Sequence, residues 1–427
     1  MIQIVDKPDC CGCSACVQIC PAQCISMQED NEGFLYPKVD EEQCLRCNKC
    51  EKACPVINRG EARIPLQVLA ATNPTESVRM QSSSGGVFTA LAERIIHEGG
   101  VVFGACFDVN WEIHHAYTET VDGLAAFRGS KYVQSKIGNT YKEAKDFLKK
   151  GRKVLFSGTP CQIAGLKNYL VRTYENLITV DVVCHGVPSP AIWRDYLKQI
   201  TRPKGGDGKN TVLSSLNTML PIGSISFRDK RNGWQKFGFV VRGVGDHREP
   251  EKFGLSSVNA GKEIVYEPHS KNLFMQGFLK DLYLRPSCYS CPAKAGRASS
   301  DISLADFWGI MSLLPDFFTD EGVSLVLAYS GRGLDMLDSL GLEIQTVRYE
   351  DALARNKAII TSACKPDLRD EFWEAYGKSG IKAIKEFVYR MRPSVRIRYR
   401  QALADFIKSI IGQKLTLAII KYKIRHQ

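Results

Sequence analysis

No stretch of the 427-residue sequence reaches the roughly 18 consecutive apolar residues of a membrane-spanning helix, which excludes an ordinary helical span. The opening MIQIVDKPDC lacks the apolar core of a secretory signal, and the chain is expected to be cytoplasmic. Glycine-rich nucleotide motifs are missing: there is no GxGxxG, and GGDGKNT (205–211) has Asn210 where a phosphate loop needs Ser or Thr, at the wrong spacing. Histidine is scarce, at seven residues. His114 and His115 are adjacent in an extended segment and point to opposite faces, so they form no ligand pair. Metal chemistry is left to cysteine.

A net positive charge is also missing from most of the chain, although the total is +11. Twelve Lys or Arg face only Glu386 and Asp405 between Ile381 and Gln427, so the excess belongs to a tail. That distribution argues against nucleic acid as a partner. The tail, with Ile407, Ile410, Ile411, Leu415 and Leu417 among its cations, reads as a basic amphipathic helix. Two readings stay open for it: docking on anionic lipid or a protein, or packing on its own domain.

Cysteine is abundant. Ten of the 16 lie between Cys10 and Cys54, in a compartment where disulfides are rare, and such clustering favours metal ligation. Cys10, Cys13, Cys16 and Cys20 recur 34 positions later as Cys44, Cys47, Cys50 and Cys54. Each set is preceded by a short extended segment, IQIVD and FLYPKVD, and ends in Cys-Pro. Cys-x2-Cys-x2-Cys-x3-Cys-Pro is the run of two-cluster ferredoxins, whose fourth cysteine ligates the other cluster. Two x2 steps wrap the chain around three corners of a cube, and the x3 step carries the next thiol away. Cys10, Cys13, Cys16 and Cys54 are thus assigned to one 4Fe–4S cluster, and Cys44, Cys47, Cys50 and Cys20 to the other. Zinc suits three ligands in one tight run poorly, and disulfides across such loops would be strained. Cys11 and Cys24 fall outside the register and are expected to be spectators.

After Gly60 strands and helices alternate. Strands are expected at 67–72, 101–107, 153–158, 176–183, 298–309 and 322–330, with helices over 84–100 and 333–340. Asn232-Gly233 between two β-rich runs predicts a hairpin. The fold class is therefore an α+β ferredoxin-like dicluster domain (1–60), then an α/β domain with an antiparallel excursion (61–380), then the basic helical tail (381–427).

Cys161 and Cys184 each follow an apolar strand, and strand carboxyl ends share one crevice in α/β sheets. Cys288 and Cys291 form a Cys-x2-Cys pair that supplies two more thiols, enough for a third cluster. The alternatives are buried structural thiols at Cys161 and Cys184, with a redox dithiol or half a zinc site at the pair. Cys106 and Cys364 have no partner motif and read as structural.

QSSSGGVFTAL (81–91), RGSKYVQS (128–135), FSGTPCQIAGL (156–166), VVCHGVPSP (182–190) and CYSCPAKAGRASSDISLADFWG (288–309) resemble the beta subunit of coenzyme F-420 hydrogenases and dehydrogenases. That family includes bacterial-type divinyl chlorophyllide reductases and 7-hydroxymethyl chlorophyll reductase. The resemblance spans roughly residues 65–345 and implies FAD beside a third 4Fe–4S cluster. It implies flavin contacts at Ser82, Ser83, Ser84, Gly85 and Gly86, at Gly129, Ser130 and Lys131, and at Gly158 and Thr159. A Ser/Gly helix start can hold a phosphate, although it is also an ordinary cap. Lys131 is the candidate catalytic cation, positioned to stabilise a reduced flavin. His185 is either a donor to the thiol site or a packed turn residue. The implied activity passes electrons between a ferredoxin-like carrier and, through FAD, coenzyme F-420 or another small organic substrate. An electron-relay subunit with its substrate site on a partner, and a non-catalytic redox sensor, are the other classes.

Overall fold

In the computed structural model of the chain, residues 1–202, 220–244 and 260–392 are described. The cysteine repeat is a repeat of backbone as well as sequence. Gly12 and Ser14 have φ of 73° and 59°, and their counterparts 34 positions on, Arg46 and Asn48, have 49° and 57°. These left-handed residues bend the x2 steps, at a cost for the non-glycines that only the surrounding structure can hold. A one-turn helix follows in each half, Ala15–Ile19 and Lys49–Ala53, and each ends on an extended cysteine, Cys20 or Cys54. Strands β1 (Ile25–Glu29) and β2 (Leu35–Val39) pair antiparallel between the two sets. FLYPKVD thus contains a strand, whereas IQIVD does not; the partner is ISMQE, which follows the first cysteine set.

The larger part is built on an eight-stranded mixed sheet. Its strands are β3 (Gln67–Thr72), β4 (Val101–Phe107), β5 (Ile113–Thr118), β6 (Val154–Gly158) and β7 (Leu177–Val182). After an excursion of three strands, β8 (Ile222–Asp229), β9 (Gly238–Val244) and β10 (Ala260–Pro268), the sheet is completed by β11 (Ile302–Asp306), β12 (Ser324–Ala328) and β13 (Glu343–Thr346). The order is β13-β3-β12-β11-β7-β6-β4-β5, with β4, β6, β7 and β11 parallel and the outer pairings antiparallel. The expected strands appear because their apolar runs are covered on both faces. Val101, Phe103, Val154 and Phe156 pack under helices Thr140–Lys149 and Pro160–Leu170. Val102, Leu155 and Ile178 face the other way, under helices Val87–His97 and Gly331–Asp338. In Val87–His97 the buried stripe is Val87, Leu91 and Ile95, the one its period predicts.

Strands β8 and β9 do pair antiparallel, but Asn232-Gly233 is not a two-residue turn. Residues 230–237 spread apart so that Trp234, fully buried, can donate its indole N–H to Asp306 Oδ1 at 3.0 Å. Tertiary anchoring of one tryptophan overrides the local turn preference. An aromatic core of Trp193, Phe227, Phe239 and Phe274 joins this small sheet to helices Pro190–Ile200 and Leu273–Leu279. At the start of the basic stretch, helix Lys382–Arg390 buries Ala383, Ile384, Phe387 and Val388 in that core, so this part packs on its own domain. The tail positions after Arg392, and the GGDGKNT stretch at 205–211, lie outside the described residues. Among the described residues no helix is long and apolar enough to cross a membrane.

Candidate functional site

The short spacings of the first 60 residues draw their thiols into two groups. Cys20, Cys44, Cys47 and Cys50 line one pocket. Cys10, Cys13, Cys16 and Cys54 are mutual neighbours: burial pushes the Cys16 thiol up to about 12, with Cys10 and Cys54 adding to the shift, and Cys16 and Cys54 act likewise on Cys13. Each fourth cysteine therefore lies with the other run. Backbone donors face the sulfurs, Gly12 N–H to Cys10 Sγ and Arg46 N–H to Cys44 Sγ at 3.4 Å each, and Ile2 N–H to Cys50 Sγ at 3.3 Å. Cys10, Cys13, Cys16 and Cys54, and Cys20, Cys44, Cys47 and Cys50, are the thiols that would hold the two clusters of a dicluster domain. Cys24 lies 3.5 Å from Cys20 and borders the same pocket.

A second cleft gathers Cys161, Cys184, Cys288 and Cys291. Cys161 opens helix Pro160–Leu170 just beyond β6, and Cys184 follows β7, so two parallel strands aim both at one edge. A 3-10 turn, Pro286–Ser290, brings Cys288 against Val187, whose N–H donates to its sulfur at 3.4 Å. Burial pushes the Cys184 thiol up to about 12 and Cys288 well above its ordinary value. Lys294 also lines the cleft and donates to the Cys184 carbonyl at 2.5 Å. His185 borders it too, yet its Nε2 lies 2.5 Å from Asp281 Oδ1 and its ring meets Phe278 edge-on.

The segments singled out for flavin divide into two places. Ser83 and Ser130 share a 2.8 Å hydroxyl bond, which joins Ser82–Gly86 to Gly129–Lys131. Thr159 instead sits at the thiol cleft, its Oγ1 3.2 Å from Cys161 Sγ, with Gly158 just before it. The serine hydroxyls are already engaged: Ser82 donates to Val78 O and Ser84 to Val323 O, at 2.7 Å each. Gly85 N–H donates to Ser324 Oγ at 2.9 Å, and a Cβ there would lie 2.5 Å from Ala71 O, so this glycine serves contact with the sheet. A phosphate would thus rest on the opening N–H groups of helix Val87–His97, which have no intrahelical acceptor. Lys131 Nζ donates to Arg128 O at 3.1 Å and Gly129 O at 3.2 Å, beside the Phe107 ring. Burial pulls its ammonium down to about 8. Phe107, Gly158, Val182 and Asp306 end the four parallel strands, so all these segments lie along one edge.

Residues 9–58 match the family model described as 4Fe-4S dicluster domain. Residues 151–215 match the one that describes the carboxyl-terminal part of the Coenzyme F-420 hydrogenase/dehydrogenase beta subunit. Both matches support the likeness read from the motifs, each over its own segment of the chain. A solved structure, "Xenon derivatization of the F-420-reducing [NiFe] hydrogenase complex from Methanosarcina barkeri", is similar at 16% identity and a TM-score of 0.41, covering 77% of this chain and 93% of that one. No curated protein matches. Three features of the site escape motif reading. Cys11 neighbours both Cys13 and Cys161 and lines the second cleft, because a residue between two ligands travels wherever their loop docks. Arg228 and Lys230 are buried beside the serine loop, donating to Ser83 O at 3.2 Å and Ser84 O at 2.9 Å. Arg285, fully buried, reaches Cys10. In sequence these cations look like turn and surface residues.

Proposed function

We propose that the chain is an iron–sulfur flavoprotein oxidoreductase linking a one-electron carrier such as ferredoxin to a small two-electron substrate, coenzyme F-420 or another organic acceptor. The observation that carries this reading is the position of Cys11: flanked by Cys10 and Cys13, it borders the cleft of Cys161, Cys184, Cys288 and Cys291. Thiols of the inner dicluster set and those of the second cleft are therefore neighbours, while Cys47 of the outer set is exposed. Bound clusters supply one-electron relay, and FAD supplies the exchange between one and two electrons. Cys161, Cys184, Cys288 and Cys291 would hold a third 4Fe–4S cluster as thiolates, releasing protons from thiols that burial keeps protonated. Lys131 would place a cation beside the flavin ring. A family defined on a beta subunit also supports a protein partner in a redox complex.

Anaerobic purification with iron, sulfide and flavin measured per chain tests this. About twelve irons with FAD are expected, four per cluster. Cys184→Ser should then remove about four irons and leave the dicluster signal intact. Eight irons in the wild type would sink the third cluster, and bound zinc without flavin the enzyme reading.

A further inference from the structure

The two halves of the cysteine repeat have matching backbones but different surroundings. In each, the first cysteine accepts one backbone N–H at 3.4 Å. Cys10 alone of the pair also meets a buried guanidinium: Arg285 Nη2 lies 3.4 Å from Cys10 Sγ, and Arg285 Nε donates to Cys10 O at 2.7 Å. Arg285 has no exposed surface, and its remaining donors go to Gln134 Oε1 at 2.8 Å and Leu35 O at 2.9 Å. Its faces are covered by Tyr36 and Phe34, 4.4 and 5.4 Å from the guanidinium carbon to the ring centres. No carboxylate bonds it among the described residues, so its charge is directed at the thiol group. On the other side, Met1's ammonium lies near Cys44 and Cys50 but is paired with Glu51 at 2.7 Å, and Cys47 is open to solvent.

Iron–sulfur potentials rise with hydrogen bonds to the sulfurs and with nearby uncompensated positive charge, and buried charges are poorly screened. We infer that Arg285 makes the inner cluster, held by Cys10, Cys13, Cys16 and Cys54, the higher-potential member of the pair, so that an electron entering at the exposed cluster comes to rest on the one facing the second cleft. Arg285 is a positioning residue for charge, acting through Cys10. The inference compares the two dicluster members only and does not depend on the flavin or a third cluster, although Arg285 also lies near Cys288 and Cys161 of the second cleft.

EPR-monitored redox titration of the full chain tests it, with the exposed member of the magnetically coupled pair identified by broadening with a soluble dysprosium chelate. In Arg285→Met the inner cluster's step should fall so that its reduced-to-oxidised ratio drops at least about tenfold at fixed potential, about 59 mV for one electron. The exposed cluster's step should stay. Arg285→Lys keeps the charge without the fork and should shift the same step less; it also serves if Arg285→Met loses iron. Unchanged steps at full iron content in Arg285→Lys and Arg285→Met, or a shift confined to the exposed cluster, overturn the inference while leaving the dicluster itself intact. Iron content below that of a dicluster in the wild type would instead remove the premise.

Discussion

His115 shows how burial sets one residue's chemistry. Its Nε2–H donates to Ser157 O at 3.1 Å, so Nδ1 must accept from Ser135 Oγ at 3.0 Å, and Gln162 completes the chain by donating to that hydroxyl at 2.9 Å. Burial lowers the imidazole from 6.5 to about 4, so the folded chain keeps it neutral. As pH falls, the unfolded chain takes the proton first, and stability is lost from about 6.5 down to the folded value, by at most about 1.4 kcal/mol per pH unit. Urea unfolding of wild type and His115→Gln between pH 7 and pH 4 should show a shallower acid slope in the variant. Parallel slopes would mean that His115 does not carry this dependence. Neither bond was legible in HH, although the alternation that separates His114 from His115 was: His114 faces Cys106 and His115 the buried side.

At the scale of the element, helix Pro160–Leu170 does two jobs. Its first turn carries Cys161 to the second cleft, and its middle holds a notch at Gly165. A Cβ there would lie 2.9 Å from both Cβ and Sγ of Cys13 and 3.1 Å from Tyr141 Oη. Gly165→Ala should therefore cost about 1–3 kcal/mol by overpacking and reduce iron held by the Cys10 set. Gly331→Ala, where nothing lies within 4 Å, is the control and should be close to neutral. Iron per chain and thermal midpoints check both. Equal loading of Gly165→Ala and wild type would show that the loop seats elsewhere. A proline just past an apolar strand marks in the sequence where this helix begins. That a glycine inside it receives the cluster loop depends on contact between segments about 150 residues apart, which no local pattern records.

Across the whole molecule, one ion pair ties the first domain to the last described helices. Glu32 and Arg369 are both buried and form two N–H···O bonds, one of them Nη1 to Oε1 at 3.2 Å, while Arg369 Nη2 also donates to Leu284 O at 3.0 Å. Glu32→Ala strands the guanidinium, and such losses cost about 3–5 kcal/mol. Glu32→Ala/Arg369→Met should cost less than Glu32→Ala alone, as read from urea midpoints. Simple additivity would show that the two charges are not coupled. Nothing in the sequence links positions 32 and 369, since their pairing follows from how the dicluster domain docks.

The sequence by itself determined whatever depends on spacing and period. It specified the two matching runs of four thiols, where most of the sheet strands and the helix over 84–100 run, and that Cys161 and Cys184 each end a strand. Local geometry suffices there, because turns, helices and strands are decided by near neighbours. Tertiary structure decided what stands next to those elements. It spread residues 230–237 to bury Trp234, set Cys11 beside Cys161, occupied the serine hydroxyls at 82–84 within the protein, and brought Arg285 onto Cys10. These are contacts between distant segments, and their energy comes from burial and docking rather than from any preference written in the neighbouring residues.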